Sequence, residues 1–162
     1  MTSGPALPRL ASLTSVDLAL SILIPIGWDV QGDAEMLRVS GPEVAGRRPT
    51  FTIRSGRPEQ PGEDWFTAFR EQAVVRMPDA IPGFVLLDRQ DFVLSSFVDV
   101  TAVAYRRSLG GGDEVSQLQA YLWASSYRMY VVDAATGRRS EDADLPLFDA
   151  MLRSIRLLPE RR

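Results

Sequence analysis

The chain has 162 residues, 45% of them hydrophobic, with 21 acidic and 18 basic side chains, a net charge of −3 and a pI near 5.0. It contains no histidine, cysteine or lysine, so every basic residue is arginine. That inventory excludes Ser–His–Asp and Cys–His catalysis, zinc sites built on His or Cys, disulfides, iron–sulfur clusters, phosphate-loop lysines and Schiff-base chemistry. Net acidity argues against broad nucleic-acid binding, which shows a basic stripe or domain.

Met1 to Ser12 carries Pro5 and Pro8 among small residues. It reads as a loose arm finished by residue 14, ahead of one domain over residues 15–160. Leu18 to Ile24 is an apolar run too short to cross a membrane. Asp17 and Pro25 flank it and no small-residue cleavage site follows, so it reads as a strand and not a leader. With no lipidation cysteine, the expected location is cytoplasmic. Pro25-Ile26-Gly27 is a turn, and Trp28 after it is expected to be largely buried. Met36 to Val39 reads as a short strand closed by Gly41-Pro42, and Thr50 to Arg54 alternates as a half-buried strand.

Helical periodicity then takes over. Phe66, Phe69, Ala73 and Met77 fall on one stripe, Glu63 and Asp64 suit a first turn, and Pro78 predicts an end near Met77. Phe84 to Leu87 and Gln90 to Leu94 read as two short strands, and Phe97 to Arg107 as a long one with Val98, Val100, Ala102 and Ala104 on one face. Gly110-Gly111-Gly112-Asp113 joins two strands without opening a helix, so it reads as a hairpin turn and not a phosphate loop. Val115 to Trp123 returns, Ser125-Ser126 turns, and Tyr127 to Ala134 follows as a third strand. Thr136 to Asp144 reads as a polar loop, with Asp144 capping a short helix that buries Phe148, Met151 and Leu152. Ile155 to Leu158 closes the chain as a strand or extended tail. Many hairpins and two helices predict an α+β fold, an antiparallel sheet of six or seven strands flanked by helices.

The order of these elements resembles the PsbP-like superfamily, which includes LpqN and DcrB-like proteins and the fold of the Ran guanine-nucleotide release factor. The resemblance rests on Ile22 to Trp28, Trp65 to Arg76, Ile81-Pro82-Gly83-Phe84, Gln117 to Val132 and Phe148 to Leu157. One departure is Ser95-Ser96, where the family often turns on a glycine. The resemblance implies a non-catalytic, protein-binding accessory module, such as a chaperone or adaptor for a secreted or assembly-bound partner. Its ligand would be a hydrophobic or helical segment of another protein, or a second copy of itself. The alternatives are a lipid or small-molecule carrier, which needs an enclosed apolar cavity, and a carboxylate-based hydrolase.

Few residues are candidates for chemistry. Glu141, Asp142 and Asp144 offer oxygen ligands to a hard cation, but a solvated loop with a helix cap is the preferred reading. Asp88 and Asp91 flank Arg89-Gln90 at an expected turn. No catalytic residue, metal or cofactor is expected. The pairs Arg47-Arg48, Arg106-Arg107, Arg138-Arg139 and Arg161-Arg162 are expected to meet local carboxylates first and an anionic ligand second. The candidate binding face is the row Gln117, Gln119, Tyr121 and Trp123, since Tyr and Trp are enriched at interface hot spots. Core packing is the competing reading, because a tight Gly110–Asp113 loop sets Tyr121 opposite Ala102 and Trp123 opposite Val100.

Overall fold

A computed structural model describes residues 7–95, 98–125 and 127–159. The first six residues of the expected arm, Ser96, Phe97 at the start of an expected strand, Ser126 and the Arg161-Arg162 pair lie outside the described residues. In chain order the elements are β1 (Leu10–Ser15), β2 (Leu20–Pro25), β3 (Asp29–Gly32), β4 (Met36–Ser40), β5 (Thr50–Gly56), α1 (Glu63–Ala80) and β6 (Val85–Val93). They continue with β7 (Asp99–Gly110), β8 (Asp113–Ser125), β9 (Arg128–Gly137), α2 (Glu141–Arg153) and β10 (Arg156–Leu157). Seven strands form one antiparallel sheet in the order β3-β4-β5-β9-β8-β7-β6, and β1-β2-β10 form a second, smaller sheet. The architecture is α+β, as the alternation pattern predicts.

Strand alternation gives the large sheet two unlike faces. On one, Phe51, Ile53, Val100, Ala102, Leu118, Ala120, Leu122, Tyr130 and Val132 meet Leu20 and Ile22 of the small sheet and Phe148, Met151 and Leu152 of α2 in a single, largely aliphatic core. The Tyr130 hydroxyl crosses this core and donates to the Leu18 carbonyl at 2.5 Å. The other face carries a separate aromatic cluster under α1, including Phe66, Met77, Val103, Tyr105, Tyr121, Trp123 and Met129. Connectivity puts α1 there: β5 and β6 are separated by β9, β8 and β7, so the segment joining them must cross the sheet.

Several details correct the sequence reading. Leu10–Ser15 is not part of a loose arm; it pairs along its whole length with β2, antiparallel, from Leu10↔Pro25 to Ser15↔Leu20. Asp29–Gly32, too short and exposed to show a period, is an edge strand. Trp28 is half-buried, not largely buried, and its ring lies so close to Gly41 that a Cβ there would come within 2.6 Å of it. Helix α1 runs on past Met77 to Ala80 with Pro78 inside its last turn, and the Ile81 N–H closes on the Met77 carbonyl at 2.9 Å. Proline's fixed φ is helical, so the cost falls on a missing N–H. The two short strands expected between Phe84 and Leu94 are one, β6, with an irregularity between Leu86 and Asp88. Helix α2 begins at Glu141 after a 3-10 turn over Arg138–Ser140, so Asp144 sits inside the helix and does not cap it.

The β7–β8 hairpin carries the largest consequence. Gly110, Gly111 and Gly112 have φ of 92°, 61° and 80°, values that glycine adopts without strain. An irregularity between Ser108 and Gly110 leaves Leu109 without a cross-strand partner. One extra residue moves every later partner by one. Tyr121 therefore lies opposite Thr101 and Trp123 opposite Asp99, not opposite Ala102 and Val100.

Candidate functional site

That register decides the fate of the expected row. Gln117, Gln119, Tyr121 and Trp123 point to the α1 face. The Tyr121 ring meets Phe69 edge-on at 5.6 Å, and Trp123 packs 5.2 Å from Phe66. Both are buried, 5% and 8% exposed, so the aromatic half of the row is covered by α1 and is no open recognition face. The amide half continues beyond it as a polar network. Buried Gln117 donates from Nε2 to Asp133 at 2.8 Å and accepts from Arg107 Nε, and half-buried Gln119 accepts from the Tyr105 hydroxyl at 3.3 Å. Burial, the largest cause, pushes the Tyr105 phenol up to about 12, with the Asp133 charge adding to it.

The opposite face holds a groove that sequence reasoning missed. Ala102, Ala104, Leu118, Leu87, Leu145 and Pro146 line a concavity of about 400 Å³ between α2 and strands β6 and β7. Its depth follows from composition: two alanines occupy strand positions where Val or Ile would fill the space beneath the helix. Among the described residues lining it, the ionisable ones are acidic, namely Asp88, Glu141, Asp142 and Asp149. The signal was present in the sequence as Ala102, Ala104 and the acids of the α2 first turn. Their meeting required the pairing of β7 with β8 and the docking of α2.

The acids are not equivalent. Glu141, 7% exposed, receives Arg106 Nε at 2.7 Å and Nη2 at 2.8 Å, the Ser116 hydroxyl at 2.7 Å and Arg138 Nη1 at 3.1 Å. The Arg106 hydrogen bonds hold its carboxyl below the usual carboxylate range, with Ser116 and Arg138 adding to that and burial opposing it. A carboxylate so satisfied is a poor proton donor and a hindered nucleophile. Asp149 is engaged by Arg153 Nε at 3.0 Å, and Asp88 accepts from Gln90 at 2.8 Å. Exposed Asp142 leaves its charge to solvent at the mouth.

The other expected acid groupings are dispersed. Asp88 and Asp91 lie in β6, not at a turn; Asp88 lines the groove while Asp91 accepts from Thr101 at 2.6 Å on the α1 face. Asp144 turns from Glu141 and Asp142 to accept from Thr136 at 2.5 Å, and burial raises its carboxyl pKa against that bond. Among the described residues, no cluster of three or more acids could hold a metal ion. Most of the arginine pairs do meet local carboxylates: Arg47 meets Asp113, Arg48 meets Asp29, and Arg106 and Arg138 meet Glu141. A further concavity, of about 1060 Å³, is lined by residues that include Val16, Ala19, Arg57, Tyr127 and Leu158. Val16 and Tyr127 on its wall are 69% and 74% exposed, so it is an open depression, unlike the enclosed cavity of a carrier.

No protein-family model and no curated protein matches the sequence. Solved structures match it in shape. Cyanobacterial PsbP (CyanoP) from Synechocystis aligns with a TM-score of 0.65 at 13% identity, over 97% of this chain and 97% of that one. The fold is PsbP-like. PA94 from Pseudomonas aeruginosa, a protein of unknown function, aligns with a TM-score of 0.63 at 15% identity, over 95% of this chain and 99% of its own. The Saccharomyces cerevisiae Ran-binding protein Mog1p gives 0.62 at 8% identity, over 93% of this chain and 96% of its own. At such identities the shared property is the PsbP-like fold. Among the described residues, no helix is long and apolar enough to cross a membrane.

Proposed function

We infer that the chain is a non-catalytic, protein-binding accessory module whose ligand is a basic, partly apolar segment of another polypeptide. The observation that carries this reading is the α2 groove, an apolar floor at Ala102 and Ala104 beside the carboxylates of Asp88 and Asp142. Such a site suits an amphipathic helix that presents apolar side chains inward and Arg or Lys at the edges. The Ran-binding activity of Mog1p, which shares the fold, supports a protein as ligand. A chaperone or adaptor is the form of this function that the sequence resemblance implies. The Glu141 geometry weighs against the hydrolase alternative, and the open depression by Tyr127 against the carrier.

The test is capture from the native host, with both proteins and lipids identified by mass spectrometry. Wild type and the charge-reversed Asp142→Arg and Asp88→Arg variants should fold alike, and only wild type should retain a protein partner. Stoichiometric lipid with no protein partner would overturn the reading in favour of a carrier. Capture unaffected by either reversal would remove the groove as the site.

A further inference from the structure

Three arginine pairs that are far apart in sequence gather at one end of the molecule. Arg47-Arg48 lies between β4 and β5, Arg106-Arg107 in β7, and Arg138-Arg139 in the turn after β9. Arg106 and Arg138 turn to Glu141 at the start of α2. On the opposite face of the sheet, Arg47, Arg48 and Arg107 surround a cavity of about 320 Å³ that also exposes Thr50. Among the described residues lining it, these three arginines are ionisable and no carboxylate is present. The carboxylate partners of Arg47 and Arg48, Asp113 and Asp29, are outside that lining, so in a chain of net charge −3 the lining itself is cationic.

Each guanidinium already has at least one partner and keeps further donors. Arg107 donates from Nε to Gln117, whose amide is itself oriented by Asp133 at 2.8 Å. Arg48 donates from Nε to the Gly41 carbonyl at 2.8 Å and from Nη2 to Asp29 at 2.5 Å, and Arg47 uses Nη2 on Asp113. Both Nη groups of Arg107, Nη1 of Arg48, and Nε and Nη1 of Arg47 make no hydrogen bond to another described residue. Arginine presents five N–H donors in a planar fork, so each side chain keeps donors for a second partner after its first is satisfied. The rotamer entropy of three long side chains is already reduced by these anchors, which is the condition for a preorganised site.

We propose that this cavity binds a phosphate group. A carboxylate fills one guanidinium fork, whereas a tetrahedral dianion has the charge and the lone pairs to engage three forks arriving from different elements. The Thr50 hydroxyl is available as a further donor. The buried Gln117 of the expected binding row thereby acts as a positioning residue, aiming Arg107. The phosphate can be free or carried on a larger molecule; the recognising chemistry is the same.

The experiment follows the melting temperature and the ³¹P line width while inorganic phosphate is titrated, with acetate and chloride at matched ionic strength as controls. Phosphate should raise the melting temperature saturably and broaden its own resonance, and acetate should do neither. Arg107→Gln should weaken the apparent affinity by about tenfold or more, and Arg57→Gln, outside the cavity, should leave it unchanged. If Arg107→Gln unfolds, Arg48→Gln, whose side chain is 48% exposed, carries the same test. Equal stabilisation by acetate, or full phosphate response in both cavity variants, would overturn the proposal. A phosphoserine peptide that saturates at lower concentration than inorganic phosphate, against an inert unphosphorylated control, would mark the group as polymer-borne; equal saturation would mark a free anion.

Discussion

The two faces of the seven-stranded sheet use alternate residues of the same strands, yet they are completed differently. The face toward α2 is largely aliphatic and is packed by a helix and a second sheet, with Phe148 fully buried 6.2 Å from Phe51. The face toward α1 is aromatic where the helix lies, then passes without a break into the polar network of Gln117, Asp133 and Arg107. Both faces leave a concavity, acid-rimmed on the first and arginine-lined on the second. A sheet face that is closed by packing supplies stability, and one left partly uncovered keeps positions where polar chemistry can change without dismantling the core.

The sharpest way to break this comparison is to remove one aromatic ring from each face. Phe148→Ala should cost about 3–5 kcal/mol, the range for a fully enclosed phenylalanine. Phe69→Ala, at a half-buried ring, should cost about 1 kcal/mol. Urea unfolding of both variants reads the difference, and equal losses would mean that α1 seals its face as completely as α2 does.

A smaller effect separates two acids of α2, buried Glu141 and half-buried Asp144. Glu141→Gln leaves Arg106 without its carboxylate and Arg138 with its longer contact to Glu114 at 3.6 Å, and should cost about 2–3 kcal/mol, at or below the low end for a broken buried pair because both arginines keep some solvent. The sign of the pH dependence follows from the shifts. Glu141 is depressed on folding, so its contribution is complete above the usual carboxylate range and is lost as pH falls through the lowered value. Asp144 is raised, so its contribution is present in acid and is lost as pH rises through the raised value. Melting temperature against pH should therefore lose part of its acid-side decline in Glu141→Gln. Asp144→Asn should instead gain stability at neutral pH relative to acid. Parallel curves for the two variants would contradict the assignment.

The smallest effect belongs to the aromatic face. The Tyr105 phenol ordinarily titrates near 10 and is raised to about 12, so its contribution holds below pH 10 and is lost between 10 and 12. Burial raises the Tyr121 phenol as well, so absorbance of the ionised phenols should show more than one tyrosine titrating late, and Tyr105→Phe should remove one such step with little change in stability at neutral pH.

Much of the architecture was legible because it rests on period and punctuation. The alternation in Thr50 to Arg54 and Val115 to Trp123, the Phe66–Met77 stripe and the Gly110–Gly112 turn all led to the right element types. Errors arose where one residue carried the outcome. Leu109, as the unpaired residue of the β7–β8 hairpin, turned Tyr121 and Trp123 from the expected α2-side partners to the underside of α1. Leu10–Ser15 has no strong period of its own and becomes a strand because the unpaired edge of β2 lies beside it. Neither concavity could be read from the sequence, since each is lined by segments that meet only across the sheet. The arginine pairs were visible as pairs, but not as neighbours.

The pairing order has a consequence for the timing of synthesis. Strand β5 lies in the N-terminal third, and in the large sheet its neighbours are β4 and β9; the second of these ends at Gly137. Strand β2 takes its second partner from Arg156 and Leu157. A ribosome making this protein has therefore extruded most of the chain before the first hairpins can find their permanent neighbours. Through that interval Phe51 and Ile53 have no finished core to enter. At about 5–20 residues per second the wait lasts several seconds, long against the microseconds in which a hairpin forms, and it leaves the nascent N-terminal third dependent on whatever shields it in the cell.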